Sequence, residues 1–171
     1  MAGPTGRESP LPPPASLAKI AHAGDFSARF ARLARPRVFT NGVFDILHRG
    51  HVACLEQARA LGSSLTVAVN SDASVRRLGK GDDRPINPLD DRMAVLAALG
   101  CVDLVVAFDA GTPLDLIAAG LPEILAKGGD YSAATTAGAA EVIAAGGRFV
   151  AIPFLHDRST TALVARVRAA R

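Results

Sequence analysis

The sequence predicts an α/β fold, a Rossmann-like doubly wound sheet of about five parallel strands with helices on both faces. Three observations predict it. Short, almost wholly apolar runs recur at residues 38–40, 65–69, 102–107, 123–126 and 148–152, as expected of strands that meet no solvent on either side. Amphipathic stretches separate them, and strand alternating with helix is the pattern of a helix-covered parallel sheet. The chain has 171 residues, 49% of them hydrophobic, which allows one domain with a substantial core.

Taken in order, residues 1–14 are Pro-rich and expected to be mobile. Residues 16–33 carry Leu17, Ile20, Ala21, Phe30 and Leu33 at helical spacing, as one helix or as two broken around Gly24. Together, residues 1–34 read as a tail with a helical extension, and residues 35–171 as the domain itself. After the first strand, a helix from Arg49 to Leu61 places Val52, Leu55 and Ala58 on one side and stops at Gly62. Asp90 and Asp91 open the next helix, which runs through Met93 and Leu96 to Gly100. Thr112 and Pro113 read as the cap and first residue of another. A further helix is expected over 136–145, and the last begins at 159–161 and is expected to bury Leu163, Val164 and Val167.

Composition narrows the function. No apolar run approaches the roughly 20 residues that cross a bilayer, and the N-terminus lacks the apolar segment of a secretory signal, so a cytoplasmic protein without a membrane partner is expected. Cys54 and Cys101 stand alone, without the spacing of a zinc site or a disulfide framework, and read as buried free thiols. The net charge of +3, with one Tyr and no Trp, offers no stacking platform for nucleic acid. A small anionic ligand accounts for the bias equally well, and arginines 166, 168 and 171 simply suit the end of the last helix.

In a parallel sheet, ligands bind beyond the carboxyl ends of the strands, where the turns into the helices converge. The polar residues of this chain concentrate there, at 40–51, 70–84, 109, 127–131 and 156–161. The first segment is the most informative. In Thr40-Asn41-Gly42-Val43-Phe44-Asp45-Ile46-Leu47-His48-Arg49-Gly50-His51, both histidines fall at a helix start and, three residues apart, point the same way. Free backbone N–H groups and the positive end of the dipole gather at such a site. Gly50 lets a ligand approach the backbone. Two imidazoles beside a helix N-terminus suit a reaction that builds charge on an α-phosphate. Alternatively, one histidine caps the helix and the other packs on the sheet. P-loop and dinucleotide fingerprints are absent: Gly79-Lys80-Gly81 leads to Arg84 where a third glycine would stand.

The paired-histidine segment resembles the signature of the cytidylyltransferase-like nucleotidyltransferases. The runs Val69-Asn70-Ser71-Asp72, Gly81-Asp82-Asp83-Arg84-Pro85, Asn87-Pro88 with Arg92-Met93, Lys127-Gly128-Gly129-Asp130-Tyr131 and Ser159-Thr160-Thr161 resemble the branch that adenylylates heptose 1-phosphate for lipopolysaccharide. The resemblance spans Arg35 to the C-terminus and lacks the sugar-kinase part to which this domain is fused in some members. It implies ATP and a sugar phosphate as substrates, with Mg²⁺ carried by the triphosphate, no metal site of the protein's own, and room for a homo-oligomer by analogy. It further implies catalytic roles for His48, His51, Lys80 and Arg92, the last two facing phosphates. Nucleotide contacts are implied for Thr40, Asn41, Gly42, Phe44, Gly50, Lys127, Gly128, Gly129, Asp130, Ser159, Thr160 and Thr161, with Asp130 on the ribose or sugar side. Asp45 is implied to anchor the turn. Gly129 stands where cytidylyltransferases carry a second acid, and Phe154 near where they carry an arginine, which counts against CTP. The alternatives are a cytidylyltransferase acting on glycerol 3-phosphate or a similar alcohol phosphate, and a non-catalytic nucleotide-binding module.

Overall fold

The structure, a computed structural model, describes residues 11–79, 83–156 and 160–170. Its strands are β1 (Ile20–Ala21), β2 (Arg37–Gly42), β3 (Ser64–Asn70), β4 (Leu104–Phe108), β5 (Ile124–Gly128) and β6 (Arg148–Ile152). The helices are α1 (Phe26–Ala31), α2 (Arg49–Ala60), α3 (Asp72–Arg77), α4 (Leu89–Ala98), α5 (Leu114–Gly120), α6 (Ala139–Ala144) and α7 (Thr160–Ala169). All strands pair in parallel, in the order β1-β4-β3-β2-β5-β6. This is the expected doubly wound α/β sheet, with six strands where five were expected.

Alternation along the central strands divides the core in two. Val38, Val67 and Val69 point to the side covered by α2 and α4, where they meet Leu55, Leu65, Met93 and Leu96. Phe39, Ala68 and Val106 point the other way, toward Phe26, Phe30, Ile117 and Val142 from α1, α5 and α6. Period-2 geometry sends successive side chains to opposite faces, so a strand apolar at every position is one covered on both.

Several boundaries are corrected. Ile20 and Ala21, expected in a helix, form β1 and pair with Val105 and Val106. A 3-10 turn, Ala15–Lys19, precedes them, and α1 does not begin until Phe26. Pairing with a waiting sheet edge outweighs a short helical pattern. α5 starts one residue later than the Thr112 cap implied, after Pro113. The helix expected over 136–145 is the shorter α6, Ala139–Ala144, preceded by a 3-10 turn at Ala133–Thr135. On α7, Leu163 is 38% and Val167 57% exposed, and Val164 is half-buried. An amphipathic repeat fixes which residues share a side; it does not supply a neighbour to cover that side. Cys54 and Cys101 are free and half-buried. The first ten residues of the Pro-rich tail lie outside the described residues.

Crossover connections determine where the ligand edge lies. From β2 the chain passes through α2 to β3 on one side, then to β4 beyond it, and later returns to β5 on the opposite side of β2. The carboxyl end of β2 is therefore the topological switch point, where a crevice opens in such sheets.

Candidate active site

The cleft over that edge has a volume of about 610 Å³. At its centre His48 caps α2: its Nδ1 accepts from the His51 backbone N–H at 3.4 Å, and its carbonyl accepts from His51 and Val52. The two imidazoles stack, with centroids 3.8 Å apart and planes 16° from parallel. His48 Nε2 and His51 Nδ1 are both buried and have no hydrogen-bond partner among the described residues. Because His48 Nδ1 is an acceptor, the neutral ring carries its proton on Nε2, the unpartnered atom. Unsatisfied buried polar atoms are costly and uncommon, and two side by side on a cleft wall are matched by a ligand rich in oxygen.

Electrostatics point the same way. Burial first, and the neighbouring His48 ring second, push the His51 imidazole down to about 4, against a hydrogen bond with the Ile46 backbone. Burial also lowers His48. Both rings are therefore neutral near pH 7, and an arriving polyanion would favour their protonated forms.

The loop that delivers them is held from several directions. Phe44 adopts a left-handed backbone, φ +49°, a conformation bulky residues rarely hold. Its ring lies over Gly42, where an added Cβ would come within 2.9 Å of Phe44 Cε2, and meets the edge of His51 at 5.3 Å. At Gly50, an added Cβ would lie 3.1 Å from the His48 ring, so the glycine lets the first imidazole lie back on the helix. Asp45 is buried, and its carboxylate accepts from the backbone N–H groups of Ile86 and Asn87 and from Arg84 Nε. Burial raises its carboxyl, but these donors outweigh it and hold the group below the usual range. This is the turn anchor expected of Asp45.

Around the histidines, Thr40, Asn41, Gly42 and Phe44 line the cleft from the end of β2. Lys127 and Gly128 line it from β5, and Thr160 and Thr161 from the start of α7. Lys127 Nζ donates to Asn41 Oδ1 at 2.8 Å and stands 5.3 Å over the Tyr131 ring. Thr160 Oγ1 donates to the Ile46 carbonyl at 3.3 Å, tying the last helix to the loop before His48. Lys80 and Ser159 lie outside the described residues. Gly129 and Asp130 are off the lining: Gly129 is packed behind Phe154 and Tyr131, and Asp130 is exposed.

Arg92 requires a correction. Expected to face phosphates, its side chain is 0% exposed. The guanidinium donates to the carbonyls of Asn87, Val43 and Asn70 at 2.7–3.0 Å and to Asp72 Oδ1 at 2.6 Å. One planar cation thus ties the loops after β2 and β3 to the entry of α4, with four of its five N–H donors committed. Sequence reasoning saw a basic residue near the edge, but nothing local marks a side chain that turns inward.

Other cleft residues were not singled out from the sequence, although Asn70 falls in the 70–84 segment expected at the ligand edge. Asn70 at the end of β3 and Thr112 after β4 line the cleft, as do Thr135 and Thr136 between β5 and α6, Cys54 of α2 and Phe154 after β6. Phe154 is 65% exposed, and its ring edge lies against Gly128 and Gly129. The one signal available was position, since Asn70 and the segment around Thr112 follow strands. Burial raises the Cys54 thiol, with the Lys127 charge opposing it.

Paired imidazoles at a helix N-terminus, on the carboxyl edge of a doubly wound sheet, define a nucleotide-handling α/β protein. The chain belongs to the Cytidylyltransferase-like family, whose model matches residues 39–162, and is a nucleotidyltransferase. It is 61% identical over 137 residues to the D-beta-D-heptose 1-phosphate adenylyltransferase of Bordetella bronchiseptica, covering 80% of this chain and 85% of that protein. It is 57% identical over 132 residues to the Bifunctional protein HldE of Shewanella sp. strain ANA-3, covering 77% of this chain but only 28% of that longer protein. Among solved structures it resembles the lipopolysaccharide core biosynthesis protein from Thermoplasma volcanium, with a TM-score of 0.59 and 27% identity over 71% of this chain and 98% of the other. It shares the fold of pantothenate synthetase from Thermus thermophilus, with a TM-score of 0.60 at 18% identity over 89% of this chain and 70% of that one.

Proposed function

We propose that this protein transfers the adenylyl group of ATP to heptose 1-phosphate, giving ADP-heptose and pyrophosphate for lipopolysaccharide synthesis. The observation that carries the chemistry is the stacked pair His48 and His51, each with a buried, unpartnered ring nitrogen on the cleft wall. The identity to the Bordetella heptose 1-phosphate adenylyltransferase supports the choice of substrates.

In this reading an oxygen of the sugar phosphate attacks the α-phosphorus in line. A bond forms between them as the bond from that phosphorus to the bridging oxygen breaks, and pyrophosphate leaves with the electron pair. The nucleophile is already an anion, so no general base is needed, and catalysis is positioning plus charge stabilisation. His48 and His51 would meet the oxygens of the α-phosphate, with the free N–H groups opening α2 beside them. Thr40, Thr160 and Thr161 would hold the triphosphate, and Lys127 and Gly128 the nucleoside. Magnesium would arrive on the triphosphate and neutralise its charge. Among the described residues no group of three acidic, His or Cys side chains is placed to hold a metal ion. No helix among the described residues is long and apolar enough to cross a membrane, and small phosphorylated substrates suit a cytoplasmic enzyme.

Pyrophosphate release measured across a panel of nucleoside triphosphates and phosphorylated acceptors tests the reading. Turnover is expected with ATP and heptose 1-phosphate. Turnover with CTP and an alcohol phosphate but none with ATP would overturn it, as would ATP binding without pyrophosphate release from any acceptor.

A further inference from the structure

The cleft has two sides, and the adenylyl-transfer reading leaves one of them unassigned. It is lined by Asn70 at the end of β3, by Thr112 after β4, and by Thr135 and Thr136, between β5 and α6. We propose that this side is a polyol subsite, which holds the hydroxyl-bearing body of the acceptor sugar while its phosphate faces the histidines. The proposal rests on the adenylyl-transfer reading and adds to it where the acceptor lies and which chain atoms recognise it.

Asn70 is only 5% exposed, yet it borders the cleft. Its Nδ2 donates to Ser74 Oγ at 3.0 Å, and Ser74 Oγ donates in turn to the Ala110 carbonyl at 3.0 Å. A carbonyl can only accept, so the single hydroxyl proton of Ser74 is committed to Ala110. Ser74 must then accept from Asn70, which fixes the carboxamide and leaves Oδ1 and the second Nδ2 proton without a partner among the described residues. Oδ1 is not one of the fully buried unpartnered atoms, so it is open at the cleft and can accept from a ligand O–H.

The opposite wall has the same polarity. Thr136 Oγ1 gives its proton to the Ser132 carbonyl at 2.8 Å, and Thr135 Oγ1 gives its proton to the same carbonyl at 3.3 Å. Both hydroxyl oxygens therefore retain lone pairs rather than protons for a ligand. The turn that carries them is set against α5 by Gly138, where an added Cβ would come within 2.5 Å of Ile117 Cδ1. That places the turn beside Thr112, just ahead of α5. A cluster of committed acceptors repels phosphate or carboxylate and welcomes O–H donors, which a sugar ring and its side chain supply in number. Donors come instead from the opening of α2 and from Lys127 on β5, so the two ends of a sugar phosphate meet different partners.

The test uses the full chain, measuring pyrophosphate release with ATP and heptose 1-phosphate varied in turn. Asn70→Ala is expected to raise the KM for the sugar phosphate roughly tenfold and Thr136→Val about fivefold, the loss of one hydrogen bond to a desolvated group. The KM for ATP should stay within about twofold, since nucleotide contacts lie across the cleft. Thr136 sits on a surface turn, so its variant reports even if Asn70→Ala unfolds. A set of sugar 1-phosphates each lacking one hydroxyl adds a second readout. One analogue should be penalised in the wild type and no longer penalised in the variant that lost its partner. An unchanged sugar-phosphate KM in both variants, or an ATP KM that rises in step with it, overturns the subsite. A wild type that releases no pyrophosphate from ATP with any sugar phosphate overturns the adenylyl-transfer reading itself, and this inference with it.

Discussion

His48 and His51 lie face to face, their ring centroids 3.8 Å apart and their planes 16° from parallel, so neither ring takes a proton without the other feeling it. That coupling makes them poor bases when the cleft holds no ligand and responsive donors when a polyphosphate is beside them. Replacing His48 by Ala or His51 by Asn is expected to lower kcat by roughly 10²–10³-fold, the cost of losing one preorganised donor in the transition state. Circular dichroism should stay unchanged. Unchanged turnover would place the chemistry elsewhere.

Protonation sets a first pH window. The folded-state value for His51 is about 4, against 6.5 for an unperturbed imidazole. Below 6.5 the unfolded chain takes the proton more readily than the folded one, so this contribution to stability is complete above 6.5 and is lost as pH falls toward 4. The thermal midpoint of the ligand-free protein should decline over that interval, and less steeply in His51→Asn.

A second window belongs to the opposite edge of the sheet. Glu123 is bonded by the Arg37 side chain at 2.9 Å and by the Arg37 backbone N–H at 2.7 Å, and lies within salt-bridge reach of Arg35. Burial raises its carboxyl, but the Arg37 contacts outweigh it and bring the group to about 2 from 4.5. A lowered carboxylate stabilises above its unfolded value, so this share is present above 4.5 and lost as pH falls toward 2. Glu123→Gln should remove that part of the acid limb and cost about 2 kcal/mol near neutrality, the range of a charged hydrogen bond. Chemical denaturation at pH 7 and pH 3 checks both.

Arg92 is expected to act through structure alone. Arg92→Ala leaves the Val43, Asn70 and Asn87 carbonyls and the Asp72 carboxylate without their common donor. A loss of roughly 3–5 kcal/mol is expected, as for other broken buried charge networks. Arg92→Lys keeps the charge but not the fork, and should fall between Ala and wild type. A variant of full stability with weakened ATP binding alone would restore the phosphate-contact role.

Gly42→Ala tests the strained turn. The added methyl would crowd Phe44, and Phe44 supports the edge of His51. An ångström of misplacement at a reacting group can cost about 10²-fold, so kcat should fall further than the thermal midpoint suggests. Retained kcat would mean that Phe44 has room to shift.

Much was legible because it depends on short stretches of chain. The apolar runs reported five strands buried on both faces, and the histidine spacing reported a helix start at the edge where such sheets bind ligands. The cleft residues from Thr40 to Phe44 fell within that same edge segment, and the family resemblance implied Asp45 as the turn anchor. The misses share a cause. Ile20 and Ala21 look helical until an unpaired edge of β4 is there to receive them. Leu163 and Val167 look buried until no neighbour covers them. Arg92 looks available until its side chain turns into the molecule.

By itself, then, the sequence determined the layered α/β architecture, the family, and the place along the chain where the histidines stand. Those follow from local periodicity, turn chemistry and motif spacing, which a single segment carries. Tertiary structure alone decided which polar groups were spent internally and which were left for a ligand. Arg92 is engaged by four acceptors, while among the described residues His48 Nε2, His51 Nδ1 and Asn70 Oδ1 are left without a partner. That division depends on atoms brought together from distant segments, because a donor is committed only when an acceptor from another part of the chain arrives beside it.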